Sequence, residues 1–192
     1  MNRIKRICSI FLLFGIIVLF PKTLFAHTYY KVPFGSYFSY FSLEDIYNQQ
    51  WISSYLRGKP IIILTAHRYQ REELRKWAEA FRQDYLLTGR AYVLWIVNLK
   101  KCSWNTSRAT VFNQWRLFNP PVPCLLDWDG VVGNSLRINY NVPNIILIDA
   151  YGRFVMHEMH TFTPSVYKAI SQRISPFCPS MYLRKGRRGD SL

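Results

Sequence analysis

The strongest constraint on the fold comes from two short runs in which polar and apolar residues do not alternate: Ile61-Ile62-Ile63-Leu64 and Ala91-Tyr92-Val93-Leu94-Trp95-Ile96-Val97. A strand with one wet face alternates, whereas a run that is apolar throughout has to be covered on both faces. Such strands sit in the middle of a sheet with other elements packed above and below. The stretch between them supplies one cover. Across residues 71–84, Leu74, Trp77, Ala78 and Phe81 recur at helical spacing, while Glu72, Arg75, Lys76, Glu79 and Arg82 take the opposite face.

The pattern continues downstream. Residues 107–118, with Val111, Trp115 and Phe118 on one side, form a second helix that Pro120, Pro121 and Pro123 terminate. Cys124-Leu125-Leu126 is a short strand running into the turn Asp127-Trp128-Asp129-Gly130, and residues 131–140 are expected to be briefly helical. Ile145-Ile146-Leu147-Ile148 and Phe154-Val155-Met156 flank a turn around Gly152 and read as a β-hairpin. Thr163 as N-cap and Pro164 behind it open a last helix with Val166, Ile170 and Ile174 facing inward. Two stretches are less regular: the aromatic residues 29–41 are expected as a strand or hairpin, and residues 43–56 as irregular or briefly helical chain. The order β-α-β-α-β-(α)-β-β-α is that of an α/β sandwich.

The ends carry different information. Residues 1–5 are basic, residues 7–20 are apolar, and Pro21, Lys22 and Ala26 follow, the arrangement of a secretory signal peptide cleaved before His27. The alternative is an uncleaved anchor, because Leu24 is bulky for a position so near the cut. The expected organisation is a signal peptide over 1–26, one domain over 27–175 and a basic tail over 176–192 containing Arg184, Lys185, Arg187 and Arg188. The product is then periplasmic or secreted. The formal charge is +14, of which the leader carries four basic residues. The tail could meet an anionic membrane surface. An export signal argues against nucleic acid as partner, and no cofactor is expected.

Three stretches together resemble the thioredoxin-like superfamily, in particular its exported TlpA-like branch of thiol-disulfide oxidoreductases. The first runs from Phe41-Ser42-Leu43-Glu44-Asp45 through Leu56-Arg57-Gly58-Lys59-Pro60 into Ile61; the second is Leu125-Leu126-Asp127 with Asp129-Gly130. The third is Tyr140-Asn141-Val142-Pro143 followed by residues 145–149 and Gly152-Arg153. The resemblance spans about residues 40–175 and implies a thioredoxin-like α/β/α sandwich with a mixed sheet and a C-terminal β-hairpin plus helix. It also implies that Pro143 follows a cis bond and presents the peptide group of Val142 to an extended partner chain.

The resemblance breaks at the redox pair. Counted from Pro60, the two cysteine positions of the family fall on Gln70 and Glu73, and residues 65–73 contain no thiol. Disulfide exchange needs a thiolate, which neither side chain supplies. The resemblance therefore implies a redox-inactive binding protein that holds a segment of an exported or envelope protein, as a chaperone or assembly factor, in a groove around His67, Arg68, Tyr69, Val142 and Pro143. The alternative is a divergent oxidoreductase using Cys102, Cys124 or Cys178. Cys102 with Cys124 is the candidate disulfide, and Cys178 a rival partner for either. His67 and Arg68, at a helix N-terminus, have the chemistry to hold an anion or a peptide carboxylate. His157 and His160 lie in a strand ending that sends them to opposite faces, so no metal site is expected there.

Overall fold

The structure is a computed structural model that describes residues 32–100 and 107–179. Seven strands form one mixed sheet: β1 (Ser42–Asp45), β2 (Gln50–Ile52), β3 (Ile61–Thr65), β4 (Tyr92–Asn98), β5 (Cys124–Asp127), β6 (Asn144–Ile148) and β7 (Phe154–Met159), in the order β2-β1-β5-β4-β3-β6-β7. β3, β4 and β5 are parallel; β6 runs against β3, and β1 against β5. The helices are α1 (Arg71–Phe81), α2 (Arg108–Phe118), α3 (Val131–Ser135) and α4 (Pro164–Ile174).

The unalternating runs occupy the centre, as their composition requires: every residue of β3 and β6 is buried. Each strand sends alternate residues to two cores. Ile62, Leu64, Val93, Trp95, Ile145 and Leu147 meet Leu74, Trp77 and Phe81 of α1, Val111 and Trp115 of α2, and Ile170 and Ile174 of α4. On the other face Ile61, Ile63, Leu94, Ile96, Ile146 and Ile148 are covered by α3 and the residues behind it, by Leu56, and by Phe41. Both clusters are drawn wholly from residues 41–178, so this part of the chain has its own core.

Helix limits follow from local chemistry. Ser107 caps α2 by accepting the Thr110 amide at 3.1 Å, and Thr163 caps α4 by accepting that of Val166 at 3.2 Å. Past Phe81, α1 widens into one π-turn over Arg82–Leu86 that carries the buried Tyr85. Three aspartates then hold the tight turns. Asp45 accepts the amides of Tyr47 and Gln49 and the indole of Trp51, Asp149 accepts the amides of Tyr151 and Arg153, and Asp127 accepts that of Gly133.

Two expectations of secondary structure need correction. Residues 43–56 contain a β-hairpin, β1 with β2, before a 3-10 turn at Ser53–Leu56. Its turn is closed by the Asp45 side chain and by Asn48 at φ 65, an αL position that Asn tolerates without glycine. Residues 32–41 are neither strand nor hairpin. They form an arm joined to the β6–β7 turn by one bridge, Tyr37 with Arg153, and by backbone bonds at Gly35, Ser36 and Phe38. At the C-terminus, packing runs beyond the expected boundary at 175, because a 3-10 turn over Ser175–Phe177 delivers Cys178 into the core. The basic cluster of the tail and residues 1–31 lie outside the described residues.

Candidate functional site

β3 ends at buried Thr65, and Ala66 and His67 carry the chain to a 3-10 turn, Arg68–Gln70, that opens directly into α1. His67 caps this turn: its Nδ1 accepts the Tyr69 amide at 3.4 Å. Tyr69 is left 78% exposed, its ring 4.6 Å from that of His67 and the Arg68 guanidinium 5.1 Å from its centre. The three residues singled out from the sequence therefore form one exposed aromatic and cationic surface at the C-terminal end of the central strand.

Gln70 and Glu73 turn the other way. Gln70 Nε2 donates to the carbonyl of Asn141 at 3.0 Å, which ties the start of α1 to the loop before β6. Glu73 accepts the Phe162 amide through Oε1 and pairs with Lys76 Nζ at 2.8 Å through Oε2. Burial works to raise its pKa, but the bonds from Lys76 and the Phe162 amide prevail and hold the carboxyl below the ordinary carboxylate value. At both positions the side chain is a fastening between segments.

The loop before β6 differs from what the resemblance implies. No peptide bond among the described residues is cis, so the bond before Pro143 is trans, and Pro143 is buried. Next to it stands Asn144, a fully buried amide at the start of β6. Its Nδ2 lies within 3.1 Å of the carbonyls of Thr65, Asn139 and Val142, and its Oδ1 accepts the Asn139 amide. That side chain closes the turn from within and engages the Val142 carbonyl.

Beside Arg68 lie two concavities. One, of about 240 Å³, opens at the C-terminal ends of β3 and β4 among His67, Arg68, Asn98, Lys100, Asn134, Tyr140 and Asn141. Asn98 Nδ2 donates to the Tyr140 hydroxyl at 2.6 Å, and the His67 amide donates to the Tyr140 carbonyl at 3.1 Å. The Asn98–Tyr140 pair rests on Gly133, where an added Cβ would lie 2.4 Å from both atoms. The second concavity, of about 510 Å³, runs from Arg68 and Tyr69 past Arg71 to Gln114 and Trp115 of α2. Sequence reading found His67, Arg68 and Tyr69 but missed Asn98, Gly133, Tyr140 and Asn144. Only Asn144 carried a local signal, as an amide between Pro143 and an apolar run.

The cysteines offer no displaced redox centre among the described residues. Cys124 and Cys178 have free thiols, 1% and 0% exposed. Burial raises both; Asp45 adds to the rise at Cys124, and Cys178 is pushed up to about 12. Thiols of this kind are inert. The expected Cys102–Cys124 disulfide is corrected on the same ground, since Cys124 is free. It lies opposite Trp95, in the middle of β4, and Cys102 itself lies outside the described residues. His157 is buried with Nε2 2.8 Å from Asn144 Oδ1, whereas exposed His160 meets Glu158.

No protein-family model and no curated protein sequence matches the chain. Solved structures do match. A protein from Chlorobium tepidum assigned as a thiol:disulfide interchange protein, DsbE, is 14% identical, with a TM-score of 0.62 over 78% of this chain and 100% of that one. The thioredoxin domain of a thiol-disulfide oxidoreductase from Bacteroides vulgatus is 15% identical, with a TM-score of 0.56 over 76% of this chain and 100% of its own. The exposed lipoprotein thioredoxin of Streptococcus pneumoniae is 18% identical, with a TM-score of 0.53 over 71% and 98%. At these identities the likeness is one of fold, and the chain has the thioredoxin-like fold.

Proposed function

We propose that this chain is an exported, redox-inactive thioredoxin-like protein that holds an extended segment of a partner protein across Arg68 and Tyr69, in an assembly or chaperone role. The observation that carries the reading is the start of α1. Residues 65–73 contain no thiol, Gln70 and Glu73 are engaged as fastenings, and the surface beside them is an exposed tyrosine flanked by two concavities. A stacked, half-rigid aromatic beside a cation is a good anchor for a peptide, since it offers a large contact area at low entropic cost. In this reading His67, Arg68 and Tyr69 do most of the recognition, with Val142 at the margin, a division that the trans bond before the buried Pro143 supports.

Extracytoplasmic location is supported by the basic and apolar leader and by the names of two relatives in fold, an interchange protein of the DsbE type and an exposed lipoprotein. The partner is then an exported or envelope protein. The rival role, a divergent oxidoreductase, would have to use Cys124 or Cys178, whose thiols are buried and raised, or Cys102.

The test is site-specific photo-crosslinking in cells that export the full chain. A crosslinking residue at Tyr69 is expected to capture one partner through a single extended segment. The same residue at Leu117, exposed on α2, is expected not to. Equal capture at both positions, or none at Tyr69, contradicts the proposal.

A further inference from the structure

The cavity of about 240 Å³ beside Arg68 is lined, among the described residues, by His67, Arg68, Asn98, Lys100, Asn134, Tyr140 and Asn141, and by no carboxylate. His67 Nδ1 accepts the Tyr69 amide, so a neutral ring carries its proton on Nε2 and donates there. The Tyr140 oxygen accepts from Asn98 and keeps its own proton to give. Asn98 Oδ1 is taken by the Lys100 amide, which leaves that side chain with only N–H to offer. Arg68 and Lys100 stand at the rim as cations. With two cations at the rim and donors at His67, Asn98 and Tyr140, the cavity favours an anion, and the side-chain amides of Asn134 and Asn141 can turn an N–H toward it.

We infer that this cavity receives a carboxylate of the bound segment, an Asp or Glu side chain or a C-terminal carboxyl, with Arg68 and Lys100 at the rim and the Tyr140 hydroxyl at its base. The inference rests on the partner-holding role proposed above. The volume suits one acidic side chain, and Gly133 makes the base possible, because any Cβ there would displace both Asn98 and Tyr140. Burial, with the nearby charge of Asp127, raises the pKa of Tyr140, so its hydroxyl stays a donor at neutral pH. Asp127 does not compete for the same donors: its Oδ2 accepts the Gly133 amide, and further bonds come from the backbone of residues 130–132.

The test is an amide NMR titration of residues 27–192 with glutarate, with glutaramide as the neutral match and inorganic phosphate as a second anion. Glutarate is expected to give saturable shifts at the amides of His67, Asn98 and Gly133, and glutaramide none. Arg68→Gln and Lys100→Gln are each expected to weaken glutarate about tenfold. Tyr140→Phe should weaken it while the thermal midpoint is checked separately for folding. Equal shifts with glutaramide, or wild-type affinity in both charge variants, overturn the inference. Tighter binding of phosphate at the same amides overturns it in favour of a phosphate ligand. Tyr69→Ala, with the crosslinking residue placed instead at Arg71 beside it, separates the two claims, since it should abolish partner capture and spare glutarate. Glutarate binding without capture at Tyr69 leaves the anion site and removes the partner role; capture without glutarate binding does the reverse.

Discussion

Single residues carry the polar end of the sheet. Gly133 is one: a methyl group there meets Asn98 Nδ2 and the Tyr140 hydroxyl at 2.4 Å. Gly133→Ala is expected to cost about 1–3 kcal/mol, read by thermal unfolding, and Asn98→Ala in the same chain should recover part of it by making room. Asn144 is another. Asn144→Ala strips the Asn139 amide and three carbonyls of their partner and removes the bond to His157, with an expected loss of about 3 kcal/mol in urea unfolding. The buried thiols give a third outcome. Iodoacetamide should leave Cys124 and Cys178 unlabelled in the native protein and label both once guanidinium unfolds it; rapid native labelling would contradict the packing described.

Among elements, α1 decides how the site is held. Its first turn is tied to the β6 loop through Gln70 and to the segment before α4 through Glu73. Because the folded pKa of Glu73 lies below its ordinary value, the stability it adds is present above that value and is lost as pH falls through the lowered one. Urea unfolding at about pH 6 and about pH 3 should therefore show a smaller acid loss for Glu73→Gln than for the wild type. The same scale shows what the sequence disclosed. β3, β4 and β6 were legible because their lack of alternation leaves one arrangement, and the Thr163-Pro164 start of α4 matched its capping chemistry. The β1–β2 hairpin was not, because strands of three and four residues are too short to show a period and the turn is made by Asp45 and Asn48. Nor could local pattern foresee the contacts of Asn144, whose amide reaches back to Thr65 and Asn139.

At the scale of the molecule, the mixed sheet brings together the end of β3, the end of β4 and residue 140, which lie far apart in sequence. Half of the candidate site was therefore readable in advance. His67, Arg68 and Tyr69 are contiguous and follow a recognisable strand, whereas Asn98, Gly133 and Tyr140 meet only after folding. The consequence is a thioredoxin-like frame in which the C-terminal ends of β3 and β4 present an aromatic ring, cations and donors, with its described cysteines sealed in the core. Chemistry and binding are then separable, and one experiment divides them: turnover of a model disulfide peptide by the purified protein, beside Cys102→Ser, Cys124→Ser and Cys178→Ser variants. A redox-inactive binding protein predicts no turnover above buffer in any of the four. Turnover by the wild type that one cysteine replacement abolishes would contradict it.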